Sequence, residues 1–269
     1  MTEPAIVVRD LAKRFDDLVV LDGINFEVAK GETLAVLGRS GTGKSVLLKT
    51  IIALMDPDRG QVTVLGRDLH ALDEAGRLAA RRTMGYVFQG AALFDSLTVL
   101  ENVGFPLLQK RRPEAEIRAK VTERLEMVGL ADAIDKLPSE LSGGMQKRAG
   151  LARAIIEEPE IILYDEPTTG LDPLTTDVIN QIILRLRQRR QVTSVVVTHD
   201  IRSAFTIADR IIMLDRGRIV AAGTPAEIQS SDNAWVQRFI GRAPLDGHQS
   251  GGRARIVPSG SNPRPVVGA

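Results

Sequence analysis

Eight consecutive residues, Gly38-Arg39-Ser40-Gly41-Thr42-Gly43-Lys44-Ser45, constrain this chain more than any other stretch. They match G-x-x-x-x-G-K-[ST]. The apolar run Thr33-Leu34-Ala35-Val36-Leu37 leads in and predicts a buried strand, and Val46 to Ile52 leads out and predicts a helix. Strand, glycine-rich turn and helix in that order make a cradle for nucleotide phosphates. The glycines let backbone N–H groups converge on an anion with no Cβ in the way, and the positive end of the helix adds to the attraction. Lys44 is placed to reach the β- and γ-phosphates, and the Ser45 hydroxyl to ligate Mg²⁺. The bland alternative, a plain strand-to-helix turn with a solvated lysine, needs all these matches to coincide.

At 269 residues the chain suffices for one sizeable domain, or for one domain with an inserted lobe. Its 43% hydrophobic and 26% charged content are ordinary for a globular protein, and a net charge of +1 offers no nucleic-acid footprint. Without cysteine, disulfides and thiolate metal sites are excluded. The first twenty residues lack a signal-peptide core, and no long uncharged apolar run appears, so no membrane span is expected.

In chain order, Ile6–Val8, Leu18–Leu21 and Ile24–Val28 read as antiparallel strands around a turn at Asp16-Asp17. Phe15 beside that turn is either core or a flat face for a base, and the local sequence favours core. Gly60–Gly66 reads as a strand, 71–82 as a helix, and Met84–Gln89 as a strand ending in an amide. From Thr98 the pattern turns helical, with Glu101 as the capping-box partner of Thr98 and Ile117, Val121, Leu125 and Val128 on one helix face. Ser142-Gly143-Gly144 opens a helix over 146–157, either as a plain N-cap or as a second anion-binding start.

Glu160 to Glu166 predicts a strand delivering two acids. Strand alternation sends them to opposite faces, so Asp165 suits a metal-side role and Glu166 a base that polarises an attacking water. Asp172-Pro173 opens a helix with Val178, Ile179, Ile182, Ile183 and Leu186 on its buried face and Arg185, Arg187, Arg189 and Arg190 outside. Thr193–Thr198 is a buried strand ending at His199, where a γ-phosphate contact fits. Ile211–Leu214 and Arg218–Val220 form a hairpin. Residues 242–269 are rich in Gly, Ser, Pro and Arg and predict a tail that does not order by itself.

Together these parts resemble the ATP-binding subunit of an ABC transporter: the phosphate loop, Gln89 as the lid glutamine, Leu141–Met145 as the signature, Ile161–Glu166 as the second Walker motif, Leu171-Asp172 as the D-loop and His199 as the switch histidine. The resemblance implies an α/β P-loop NTPase fold with a mixed central sheet, an antiparallel β entry and a helical lobe at about 90–158, all within 1–241. It implies ATP and Mg²⁺ as ligands. Phe15 would stack on adenine, Gly38 to Val46 hold the phosphates, and Ser45, Gln89 and Asp165 serve the metal. Glu166 acts with His199, Gln89 and Lys44 in hydrolysis. It further implies a head-to-tail dimer in which Ser142, Gly143, Gly144 and Asp172 of one copy close over nucleotide held by the other. A membrane subunit would lodge in the helical lobe.

Met145, where the signature commonly has glutamine, and the run Gln89 to Val99 are similar to the Mla or Mce-associated phospholipid transporters. That similarity implies a multi-spanning permease, an Mce-domain protein and a small STAS-domain subunit as partners, at the cytoplasmic face of the inner membrane. An amino-acid or other small-solute importer would carry nearly the same motifs. A soluble ABC ATPase of DNA repair or translation would need a long coiled coil or a second cassette, and neither is present.

Overall fold

The computed structural model describes residues 3–241. The tail at 242–269 and the side chains of Arg189 and Arg190 lie outside the described residues. Strands β1 (Ile6–Phe15) and β2 (Leu18–Val28) flank the Asp16-Asp17 turn. The two runs read separately in this stretch are one long strand, whose pairing absorbs irregularities as register shifts between Val8 and Arg14. With β4 (Arg59–Val64) and β5 (Arg67–Asp68) they form a four-stranded antiparallel sheet in the order β2-β1-β4-β5.

The central sheet has six strands. Their order is β10 (Arg218–Gly223), β9 (Arg210–Asp215), β3 (Thr33–Leu37), β8 (Thr193–Thr198), β7 (Ile161–Asp165) and β6 (Met84–Val87). All neighbours run parallel except β10 against β9. Both faces are covered, which is why β3, β7 and β8 read as unbroken apolar runs. Leu34, Val36, Leu163, Val195 and Val197 pack with α1 (Lys44–Ile51) and the antiparallel sheet. Their alternates Ile162, Tyr164 and Val196 pack with α5 (Gly143–Ala154) and α6 (Pro173–Arg190) on the other face.

The helical lobe comprises α3 (Val99–Gln109), α4 (Glu114–Met127) and α5. Thr98 and Glu101 make the expected capping box, and Ile117, Val121, Leu125 and Val128 are all buried. A Cβ on Gly104 would sit 2.7 Å from Ile117 Cγ2, so glycine lets α3 and α4 close together.

Helix boundaries differ from expectation where caps decide them. Helix α2 spans Glu74–Arg81 because Asp73 accepts the Gly76 N–H at 2.8 Å. Helix α5 begins at Gly143 because Ser142 caps it, and it ends at Ala154. Val178 is 44% exposed, against its expected place on the buried face of α6. At 100° per residue it lies about 90° from the centre of the stripe formed by Ile179, Ile182, Ile183 and Leu186, which are buried. Arg185 is exposed as expected, while Arg187 is partly covered and pairs with Asp209. Among the described residues no helix is long and apolar enough to cross a membrane.

Candidate active site

The parallel strands of the central sheet all end at one edge, so the segments that follow β3, β6, β7 and β8 meet there. They line a cleft of about 330 Å³ that contains Ser40, Gly41, Gly43, Lys44, Ser45, Val46, Gln89, Glu166 and His199. The sequence had singled out each of these. Val20 from β2 and Thr169 complete the lining.

The loop Gly38–Gly43 turns through two left-handed glycines, Gly41 at φ 79° and Gly43 at φ 92°. A Cβ on Gly43 would sit 2.8 Å from the Val20 carbonyl oxygen, so both conformation and space demand glycine there. No side chain caps α1, in contrast to α3, α5 and α6, so its first N–H groups remain available to an anion. The buried Lys44 ammonium donates to the carbonyls of Gly38 and Arg39, each at 3.0 Å, and lies 3.1 Å from Glu166 Oε1. It is therefore already held at the mouth of the loop.

The two acids part company by a different route from strand alternation. Strand β7 ends at Asp165, and Glu166 is left-handed at φ 49°, its N–H bonded to the Val197 carbonyl at 3.0 Å. Asp165 is buried and takes the Ser45 hydroxyl on Oδ1 at 2.7 Å and the Tyr86 hydroxyl on Oδ2 at 3.0 Å. Burial, reinforced by the Asp165 charge, raises the Tyr86 phenol far above its ordinary range. Glu166 is also buried. It receives Lys44, the Thr169 hydroxyl at 3.0 Å, and His199 through Nδ1 at 2.8 Å and its backbone N–H at 3.3 Å. With Nδ1 donating to Glu166, Nε2 of a neutral His199 ring is an acceptor. The ring donates to a phosphate oxygen only as the imidazolium or after turning, and its 48% exposed side chain has room to turn.

The residues fit a small divalent cation. Ser45 Oγ and Asp165 Oδ1 bring two hard oxygens within 2.7 Å of one another beside Lys44, and Gln89 lines the same cleft. Mg²⁺ asks for this kind of set: one carboxylate, one hydroxyl, phosphate oxygens and waters.

The Gln89 loop is held from outside. Ala91 and Ala92 are both left-handed, at φ 59° and 49°, and the Arg153 guanidinium from α5 donates to their carbonyls at 2.8 and 2.7 Å. From the same helix, Lys147 donates to the Thr169 carbonyl, and burial lowers its pKa.

The remaining sequence candidates stand apart from this cleft. Phe15 is 42% exposed at the β1–β2 turn, with the Lys13 ammonium 5.6 Å from its ring centre, so it is not core. Gly38, Arg39 and Thr42 belong to the loop but do not line the cleft, the Thr42 hydroxyl turning back to the Arg39 carbonyl at 2.9 Å. Ser142 caps α5, accepting the Met145 N–H at 3.3 Å. Gly143 is open on its Cβ side, whereas a Cβ on Gly144 would sit 2.5 Å from Thr175 Cγ2. Asp172 caps α6, and the Thr175 hydroxyl and N–H hold its carboxyl below the usual range. Tyr86, Thr169 and Arg153 are contacts that sequence reading missed, and only the Thr168-Thr169-Gly170 turn after the two acids offered a local signal.

A family model described as ABC transporter matches residues 21–169. The sulfate/thiosulfate import ATP-binding protein CysA of Mycobacterium tuberculosis is 44% identical over 238 residues, which is 88% of this chain. The chain spans 66% of the length of that relative. The intermembrane phospholipid transport system ATP-binding protein MlaF of Haemophilus influenzae is 39% identical over 241 residues, covering 89% of this chain and 91% of that protein. Among solved structures, the ATP-binding cassette MJ0796, in a dimeric post-hydrolysis state bound to ADP and Pi, superposes with a TM-score of 0.76 at 34% identity. That match covers 82% of this chain and 98% of the other.

Proposed function

This chain belongs to the ABC transporter family as an ATP-binding subunit, and from that premise we propose that it hydrolyses ATP to drive phospholipid transport between membranes. The observation that carries the hydrolytic part is the convergence of Lys44, Glu166 and His199 on one cleft beside an uncapped helix start. The phospholipid part is supported by the likeness to MlaF and by the Met145 spelling of the signature.

In this reading Lys44 donates to β- and γ-phosphate oxygens from a position fixed by two loop carbonyls. Mg²⁺ held by Ser45, Asp165 and Gln89 would neutralise charge on those same oxygens. Glu166 accepts the proton of the attacking water, and the donors around it hold its carboxylate in one orientation. His199 turns from Glu166 to the γ-phosphate, and Gln89 orients the water. Phe15 stacks on the base from the β1–β2 turn. Ser142, Gly143, Gly144 and Asp172 act on nucleotide held by a second copy, which accounts for their standing outside their own cleft. The permease, an Mce-domain protein and a STAS-domain subunit are the proposed partners, with this chain on the cytoplasmic face of the membrane.

A second reading, an importer of small anions, is favoured by the higher identity to CysA. Tagged protein drawn from detergent-solubilised native membranes separates the two. Co-purification of a permease, an Mce-domain protein and phospholipid, identified by mass spectrometry, is the expected result. A solute permease without that set would replace lipid by a small solute, and no membrane partner would overturn the transport reading.

A further inference from the structure

Asp165 is gripped at both carboxylate oxygens, and the second grip comes from a residue to which the reaction above gives no role. Strand β6 runs parallel to β7 with Tyr86 opposite Leu163, so Asp165 lies two residues further along β7 on the same face as Leu163. Only a long side chain with a polar tip, leaning along the strand, spans that diagonal. The Tyr86 ring packs on the α1 side of the sheet, and its hydroxyl meets Asp165 Oδ2 at 3.0 Å while Ser45 holds Oδ1 at 2.7 Å. A carboxylate held at one oxygen can still rotate about its axis. Held at both, from β6 and from α1, it has one orientation. Tyr86 also meets Phe88 with ring centres 4.5 Å apart, and Phe88 directly precedes Gln89. The segment 86–89 therefore brings two groups to the metal side of the cleft: the Gln89 amide in the cleft itself, and the Tyr86 hydroxyl behind Asp165.

We propose that Tyr86 is a positioning residue for the divalent metal, its hydroxyl fixing the Asp165 carboxylate so that the oxygen shared with Ser45 faces the cation. This rests on reading Asp165 as the metal-side carboxylate. The phenol suits the task because its hydroxyl is a donor and stands 3.0 Å from Asp165 Oδ2. Partners standing behind a metal ligand typically carry about 10–100-fold in metal affinity.

Tyr86→Phe removes one oxygen and keeps the ring against Phe88. The probe is Mn²⁺, titrated in the presence of ATP and followed by its EPR signal, in a Glu166→Gln background so that nucleotide is not consumed. Asp165→Asn runs in parallel. The expected result is Mn²⁺ affinity about 10–100-fold weaker in Tyr86→Phe, with ATP affinity in EDTA unchanged. Unchanged Mn²⁺ affinity in Tyr86→Phe, while Asp165→Asn weakens it, would overturn the role of Tyr86 and leave that of Asp165 standing. If Asp165→Asn changes nothing either, the reading of Asp165 falls and Tyr86 with it. Equal losses with and without metal, together with a lowered unfolding temperature, would reduce Tyr86 to a structural contact and also overturn the proposal.

Discussion

Glu166 receives Lys44, Thr169 and His199 at once, the last through both its ring and its backbone, so four donors fix a side chain that local sequence placed only approximately. Strand alternation predicted that Asp165 and Glu166 part company; they do make separate contacts, but the break comes from a left-handed residue after the strand end. Backbone conformation at a single non-glycine position has no spelling in sequence. Glu166→Gln keeps the volume and most of the hydrogen bonds while removing the base. Its hydrolysis rate, measured by phosphate release, is expected to fall by about 10²–10⁴-fold with ATP affinity retained. Undiminished release would remove Glu166 from the base role. Tyr86 was equally hidden, since its partner is a diagonal neighbour on another strand. Burial raises both tyrosines of the chain, Tyr86 and Tyr164, from the ordinary value of 10.0 to beyond the alkaline range. A raised pKa adds stability below pH 10 that is lost as pH climbs towards the folded value. Tyrosinate absorbance is therefore expected to show no step near pH 10 and to appear only as the protein unfolds in stronger alkali. An early step in a still-folded chain would contradict the environment assigned to these rings.

At the scale of elements, the strands and the core faces of the helices were legible because their signals are local: period two or unbroken apolar runs in strands, spacings of three and four in helices. Caps then moved the ends of α2 and α5, and Val178 fell on the rim of α6 because an apolar stripe has edges that composition does not mark. What sequence could not show is how α5 ties the lobe to the site. Its N-terminus carries Ser142 and Gly143, its middle sends Lys147 to the Thr169 carbonyl, and its C-terminal turn sends Arg153 to the carbonyls of Ala91 and Ala92. Two successive left-handed alanines cost about 1–2 kcal/mol each. The Arg153 fork supplies charge-assisted bonds that offset this. Arg153→Ala is expected to destabilise the protein by about 2 kcal/mol in denaturant unfolding and to raise hydrogen exchange across residues 89–94 more than elsewhere in the lobe. Exchange unchanged in that loop would mean that the alanines are held by something other than Arg153.

For the whole molecule, a mixed six-stranded sheet with an antiparallel entry and a helical lobe was readable once the motifs were found in order, because each motif sits at a fixed strand end. The cleft was legible for the same reason. The residues that stay outside it include Ser142 and Asp172, which cap helices of their own chain, and Gly143 and Gly144 beside them; the proposed reading has all four act on nucleotide held by a second copy, a geometry no single-chain pattern contains. The central claim is thus a composite site, with the phosphate loop from one copy and the signature from the other. Mixing two inactive variants tests it directly. Lys44→Ala disables the loop of its own chain, and Ser142→Arg blocks the signature at an exposed position while leaving the tightly packed Gly144 untouched. In a head-to-tail heterodimer both lesions fall on one site and the other site is wholly wild type. The measurement is ATP hydrolysis by each variant alone and by their equimolar mixture. Recovery of hydrolysis in the mixture that neither variant shows alone is the predicted result. A mixture as inactive as its parts, with heterodimers demonstrably formed, would contradict the composite site.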